Sequence, residues 1–306
     1  MPKILISDPI SEDAIALLKE SGADYSYEPE MNPDQLLEKI EKYDALIVRS
    51  RSKVTRKVIE NASNLKVIGR AGVGVDNIDT AAAKEKQIQV VNTPDALTNA
   101  VAEFTVGLMI DLARGIPNAN DSLKNGKWLK SSFTGNELKG KTYGTVGIGR
   151  IGARVAELAY AFGMRIRAND VIPVPKDLIE KYEITVSSQE EIFRFSDYVD
   201  LHVPLTNETT YLVNYQKLCL MKQGSFLINT SRGKVVNEND LLKALEEGRI
   251  SGAALDVFES EPLSNSLLQK SGKVILTPHI AGQTEEAQSQ AGKMIVEAVL
   301  RNLSTR

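Results

Sequence analysis

The chain has 306 residues, room for two domains of ordinary size that each bury a core. Apolar residues make up 42% and charged residues 25%, the balance of a soluble globular protein. The formal charge of −3 provides no field to hold nucleic acid or an anionic membrane, so neither is expected as a partner.

The N-terminus runs directly into Lys3-Ile4-Leu5-Ile6, leaving no room for a basic region and a cleavage site. No apolar run approaches the roughly 20 residues that span a bilayer. A cytoplasmic enzyme or binding protein is expected. Ile4–Ile6, Ala45–Val48, Lys66–Ile68 and Gln89–Val91 read as fully buried strands, with amphipathic helices such as Glu12–Glu20 and Asp34–Glu41 between them. Strand–helix alternation of this kind implies a parallel sheet covered on both faces. After Asn92-Thr93-Pro94, the stretch from Ala96 to about Arg114 is apolar around most of a helix and is expected to be buried between domains or subunits. A second alternating set begins at Thr142. Its expected strands are Tyr143–Ile148, Met164–Ala168, Tyr198–Val203, Ser225–Asn229, Ala253–Val257 and Val274–Leu276, and a long helix covers Thr284 to about Leu303. Cys219, the only cysteine, forms neither an internal disulfide nor a Cys/His cluster, so no metal is expected; helix packing is its expected role. The predicted fold class is α/β with two doubly wound parallel-sheet domains. One comprises residues 1–94 plus 284–306, the other residues 95–283.

The segment from Thr145 to Gly152 carries G-x-G-x-x-G at Gly147, Gly149 and Gly152, between an expected strand and an expected helix. The first glycine permits a tight turn, the second admits a pyrophosphate, and the third lets helix and strand pack closely. Backbone N–H groups at Arg150 and Ile151 would meet the phosphates at the positive helix end. Asp170 lies 18 residues beyond Gly152, near the usual spacing of about 20. Its carboxylate accepts from ribose hydroxyls and repels a 2′-phosphate, which predicts NAD rather than NADP.

Three further stretches end strands: Arg232 in INTSRG, Asp256 and Glu261 in ALDVFESEP, and His279 in LTPHIAG. In an open parallel sheet the strand C-termini border the ligand crevice. Read alone, His279 either satisfies its own hydrogen bonds at a strand end or moves a proton. Asp256 is likewise either a ligand contact or a buried cap.

The set VRSRSKVT (48–55), VIGRAGVGVDNID (67–79), VNTPDALTNAVAEFTVGLM (91–109), GTVGIGRIGARVAELAYAFGM (144–164), HVPLTNETTYLVN (202–214), LINTSRGKVVNENDLLKAL (227–245) and GAALDVFESEP (252–262) closely resembles the NAD-dependent D-2-hydroxyacid dehydrogenases, in particular the branch that oxidises phosphoglycerate. The resemblance implies a flavodoxin-like substrate (lid) domain and a Rossmann NAD-binding domain. It places the catalytic arginine, glutamate and histidine on Arg232, Glu261 and His279. It adds Val203 and Pro204 beside adenine, Thr230, Ser231, Asp256, Ala281 and Gly282 around the nicotinamide end, and Val73 as a further cofactor contact. His202 falls where the family uses no proton carrier and is expected to pack around the cofactor. The substrate, a phosphorylated 2-hydroxy acid, is expected to meet Arg49, Arg51, Arg70, Gly72 and Val73. Gly72 and Val73 would offer backbone N–H groups to a carboxylate, and the arginines would meet the phosphate. Each arginine is equally readable as a solvated residue after a strand. The segment before Asp170, Arg167-Ala168-Asn169, lacks the aromatic residue often found there. Longer relatives carry a C-terminal regulatory domain for serine, which is not expected here because the sequence ends at Arg306. A homodimer is expected. The rival readings are a glyoxylate or hydroxypyruvate reductase, or another D-2-hydroxyacid dehydrogenase, and an NAD-sensing corepressor-like binding protein.

Overall fold

The computed structural model describes residues 2–264 and 266–304. It contains two compact units, Met1–Thr98 with Gly282–Arg306, and Asn99–Ala281.

The first unit has five parallel strands: β1 (Lys3–Ile6), β2 (Asp24–Tyr27), β3 (Ala45–Val48), β4 (Val67–Arg70) and β5 (Gln89–Asn92), in the spatial order β2-β1-β3-β4-β5. This is the flavodoxin-like order, with its reversal between β1 and β3. Alternate residues feed opposite faces. Leu5, Leu46, Val48 and Ile68 join one core cluster, and Ile4, Ile6, Ala45, Ile47 and Val67 join the other. A sheet buried on both faces needs continuous apolar strands, and β1 and β3 have them. The second cluster is closed by Ile295, Val296 and Val299 of the helix Glu285–Ser304. A Cβ at Gly69 would stand 2.7 Å from Val299 and 2.9 Å from Ile295, so glycine lets this helix sit close to β4.

The second unit has seven parallel strands: β6 (Thr142–Val146), β7 (Arg165–Asn169), β8 (Thr185–Val186), β9 (Tyr198–Leu201), β10 (Phe226–Asn229), β11 (Gly252–Leu255) and β12 (Val274–Leu276). Their order, β12-β11-β10-β9-β6-β7-β8, is the Rossmann order with one strand added, reversing between β6 and β9. Tyr143, Ile166, Tyr198 and Ile228 enter one cluster; Val146, Val199, Leu201 and Leu227 enter the other.

Several elements differ from expectation. Strand β6 stops at Val146, before Ile148, because Gly147 turns the chain with φ +94°. Strand β9 stops at Leu201 and β11 at Leu255, which leaves Val203 and Val257 in loops. The helix expected from Ala96 begins at Thr98. Strands β2 and β8 were not anticipated; they are edge strands, and β8 is exposed along its length. Cys219 is exposed, while its neighbour Leu218 is the residue that packs inward. No helix among the described residues is long and apolar enough to cross a membrane, and no group of three His, Cys, Asp or Glu is placed there to hold a metal.

Candidate active site

Because all seven strands of the second unit are parallel, their C-terminal ends share one edge. Gly147 follows β6, Asp170 follows β7, Val203 and Pro204 follow β9, Thr230 to Arg232 follow β10, Asp256 follows β11 and His279 follows β12. The topology alone brings these residues to one side.

At the β6 turn, a Cβ on Gly147 would stand 2.4 Å from the His202 carbonyl oxygen, and one on Gly152 would stand 2.3 Å from the Gly147 carbonyl oxygen. Neither position admits a side chain. Gly149 has open space where its Cβ would be, and it leads into the helix Arg150–Ala161. The first N–H groups of that helix, beginning with Arg150 and Ile151, point out of its N-terminal end. These are the features of a cradle for a dinucleotide pyrophosphate. Asp170 accepts from the Ile148 N–H at 2.8 Å and from the Ile172 N–H at 3.1 Å, so it also ties the glycine turn to the end of β7.

His279 Nδ1 and Glu261 Oε2 are 2.8 Å apart. A carboxylate on Nδ1 fixes the tautomer with hydrogen there and leaves Nε2 for proton exchange. Burial pushes the Glu261 carboxyl up, but the His279 ring, the Phe258 N–H and the Arg232 charge outweigh it and hold its pKa below the ordinary value. His279 has φ +55°, a left-handed conformation that non-glycine residues seldom adopt. Asp256 holds that turn. It is fully buried; Oδ1 accepts from the Thr277 hydroxyl at 2.7 Å and the Ile280 N–H at 2.9 Å, and Oδ2 accepts from the Ala281 N–H at 2.8 Å.

Arg232 leaves β10 through a turn wrapped by Asn229. Asn229 Oδ1 accepts from the N–H and hydroxyl of Ser231, and its Nδ2 donates to the Arg232 carbonyl at 2.9 Å. The Thr105 hydroxyl donates to Val101, so Thr230 is the donor in the 3.2 Å pair with Thr105. Gly233 packs so tightly on the Phe258 peptide that a Cβ would stand 1.9 Å from it. The segments carrying Arg232 and Glu261 therefore touch.

In the first unit, Arg49, Arg51, Arg70, Gly72 and Val73 follow β3 and β4 at the matching edge of the smaller sheet; Gly282 also belongs to this unit. Two of these residues are engaged within their own unit. The Arg51 guanidinium is engaged by the Ser7 carbonyl at 3.1 Å, Glu30 at 3.2 Å and Asp8 at 3.5 Å, so it secures its own loop. The Gly72 N–H is taken by the Thr93 hydroxyl at 2.7 Å. Gly72 instead provides space, because its φ of +144° and missing Cβ let the Arg70 guanidinium lie against it. Arg49 reaches the Pro9 carbonyl at 3.2 Å and Gln283 at 3.4 Å; burial lowers its pKa, against the raising effect of Asp8.

Sequence reasoning missed Asp8 and Asn77. Fully buried Asp8 accepts from the Arg49 N–H at 2.6 Å and the Ser52 hydroxyl at 2.6 Å, while Asn77 donates to the carbonyls of Arg49 and Ser52. Together they fix the arginine loop from two sides. The only signal for Asp8 is its place just past the end of β1.

Residues 106–281 match the family model for the D-isomer specific 2-hydroxyacid dehydrogenase NAD-binding domain. The chain is 48% identical over 304 residues to a D-3-phosphoglycerate dehydrogenase of Methanocaldococcus jannaschii, covering 99% of this chain and 58% of that one. It is 41% identical to a hydroxypyruvate reductase of Thermotoga maritima, covering 98% of each. A D-lactate dehydrogenase of Aquifex aeolicus, solved with NAD and lactic acid, superposes with a TM-score of 0.87 at 29% identity, covering 99% of this chain and 96% of that one. The protein belongs to the D-isomer specific 2-hydroxyacid dehydrogenases, and its second unit is their NAD-binding domain. The chain spans little more than half the length of the phosphoglycerate dehydrogenases it matches.

Proposed function

We propose that the chain is an NAD-dependent dehydrogenase that interconverts 3-phosphoglycerate and 3-phosphohydroxypyruvate, the entry step to serine. The observation carrying this reading is the 2.8 Å His279–Glu261 pair beside the Arg232 charge, on the sheet edge that bears the glycine turn. NAD supplies the hydride acceptor when bound. Arg150 and Ile151 at the helix end would hold its pyrophosphate, and Asp170 would hold the adenosine ribose. His279 Nε2 takes the proton of the C2 hydroxyl as hydride leaves C2, and returns it in the reverse direction; a positioned proton carrier contributes about 10²–10⁴-fold. Glu261 orients the ring and stabilises the imidazolium that forms. Arg232 holds the substrate carboxylate and polarises the C2 oxygen.

The phosphate would fall to Arg49 or Arg70. A plain hydroxypyruvate or glyoxylate reductase is the second reading, supported by the relative of matching length. Initial rates with NADH on phosphohydroxypyruvate, hydroxypyruvate, glyoxylate and pyruvate separate the two. On the favoured reading, Arg49→Ala or Arg70→Ala removes a charge-assisted hydrogen bond worth about 1.5–3 kcal/mol. That loss is about 10–100-fold in kcat/KM for phosphohydroxypyruvate, with little loss for hydroxypyruvate. Equal losses on both substrates would leave the generic dehydrogenase. A homodimer in the cytoplasm completes the proposal; exposed apolar side chains at Ile116, Leu123, Trp128 and Leu129 support the pairing of two copies, which sedimentation tests.

A further inference from the structure

Each of the two histidines faces a carboxylate, in opposite surroundings. The side chains of His279 and Glu261 are 44% and 39% exposed, whereas those of His202 and Asp200 are 4% and 0% exposed. Asp200 lies in β9, opposite Thr145 of β6, the strand that runs into the glycine turn. Asp200 Oδ2 accepts from the Tyr143 hydroxyl at 2.8 Å and lies 2.7 Å from His202 Nε2; Oδ1 accepts from the Leu201 N–H at 2.9 Å. The His202 N–H is poorly aimed at that oxygen, so the contact is electrostatic more than directional. A bare nitrogen lone pair so near a carboxylate oxygen would be repelled, so Nε2 carries a proton. Burial, then the charge of Asp200, pushes the Tyr143 phenol well above its ordinary pKa, which keeps it a neutral donor. A buried carboxylate is costly unless its partners are all in place.

The location of His202 gives this cluster a functional consequence. The His202 carbonyl stands 2.4 Å from the position of a Cβ on Gly147, and its ring Cδ2 stands 3.3 Å from one on Gly152. One residue thus forms the wall behind both the first and third glycines. We propose that His202 is a positioning residue of the dinucleotide site: anchored on Asp200, it fixes the wall against which the glycine turn closes, and so sets the affinity for the cofactor's pyrophosphate. If the ring loosens, the start of the helix Arg150–Ala161 shifts and its N–H donors lose their aim.

The test is a fluorescence titration of the full chain with NADH. The titration itself needs no substrate, so failure of the phosphoglycerate assignment leaves its result standing. His202→Leu should weaken NADH binding by about tenfold or more, because it strips a buried carboxylate of the imidazole packed against it. His202→Gln, whose amide nitrogen reaches the place of Nε2, should return the Kd to within about threefold of wild type. With saturating NADH and hydroxypyruvate, kcat of both variants should stay within about twofold, since the loss lies in binding. If His202→Leu fails to fold, Asp200→Asn/His202→Leu removes the charge together with the ring and should show the same weakening. An unchanged Kd in the folded leucine variant would overturn the proposal. So would equal weakening by leucine and glutamine, or a fall in kcat as large as the change in Kd.

Discussion

Replacing Asp256 with asparagine keeps the volume of the side chain and removes one acceptor from a fully buried site. In the native turn three donors, the Thr277 hydroxyl and the N–H groups of Ile280 and Ala281, converge on the two carboxylate oxygens. The introduced amide would satisfy the first two through its single oxygen and present its own N–H₂ to Ala281, donor against donor at a 2.8 Å position. One charge-assisted hydrogen bond is lost, about 1.5–3 kcal/mol, and the remaining two become neutral. A total near 2–4 kcal/mol corresponds to a Tm fall of about 5–10 °C for a unit of this size. Ile280 and Ala281 are the ties that hold His279 at φ +55°, so the ring should also drift from its reactive position. Misplacement on the scale of 1 Å costs up to about 10²-fold, and we expect kcat/KM to fall at least tenfold. Thermal denaturation and steady-state kinetics of Asp256→Asn measure both. A Tm within about 1 °C of wild type together with kcat/KM within about twofold would refute the view that this carboxylate holds the histidine turn.

His279→Ala should lower kcat by about 10²-fold or more while NADH affinity, read by fluorescence titration, stays near wild type. Because Glu261 has a lowered pKa in the folded chain, its contribution to stability is present above its unfolded value and is lost as pH falls through the lower, folded value. The Tm difference between wild type and Glu261→Gln should therefore shrink on acidification below about pH 4.5, and a difference that grows there would contradict the pairing. The effect should be small, since the pair is about two-fifths exposed. The wild type should prefer NADH to NADPH in kcat/KM, and Asp170→Ala should narrow the gap; it should also weaken NADH itself, because Asp170 holds the Ile148 N–H of the glycine turn.

The elements legible in the sequence were those whose burial is uniform. β1 and β3 are buried on both faces and read as unbroken apolar runs, and the glycine turn showed itself because only glycine fits at 147 and 152. Edge strands carry no such mark: Asp24–Tyr27 lies half in solvent and reads as a loop. The motif that ends in His279 identified the reacting group but not the groups that hold it. Asp8 and Asp200 are single acidic residues among apolar neighbours, and their partners Arg49 and Tyr143 lie 41 and 57 positions away. Arg49 and Arg51 are equivalent as sequence, both following the same strand. What separates them is Glu30, which comes from another segment to claim Arg51.

The helix Glu285–Ser304 closes the core of a unit whose other parts come from the first 98 residues. A ribosome delivers these two portions at separate times, with Asn99–Ala281 between them. While Asn99–Ala281 emerges, the sheet face bearing Ile4, Ile6, Ile47 and Val67 has the helix Glu12–Glu20 against it but still lacks Ile295, Val296 and Val299. The middle of the chain can therefore complete its fold first, although it was not made first. An exposed apolar sheet face of this kind invites aggregation or a chaperone's grip, and the interval lasts several seconds or more at usual elongation rates of roughly 5–20 residues per second. Substitutions at Ile295, Val296 or Val299 should therefore reduce the yield of soluble protein in cells by more than their effect on the finished fold implies, because they lengthen the time that this face stays open.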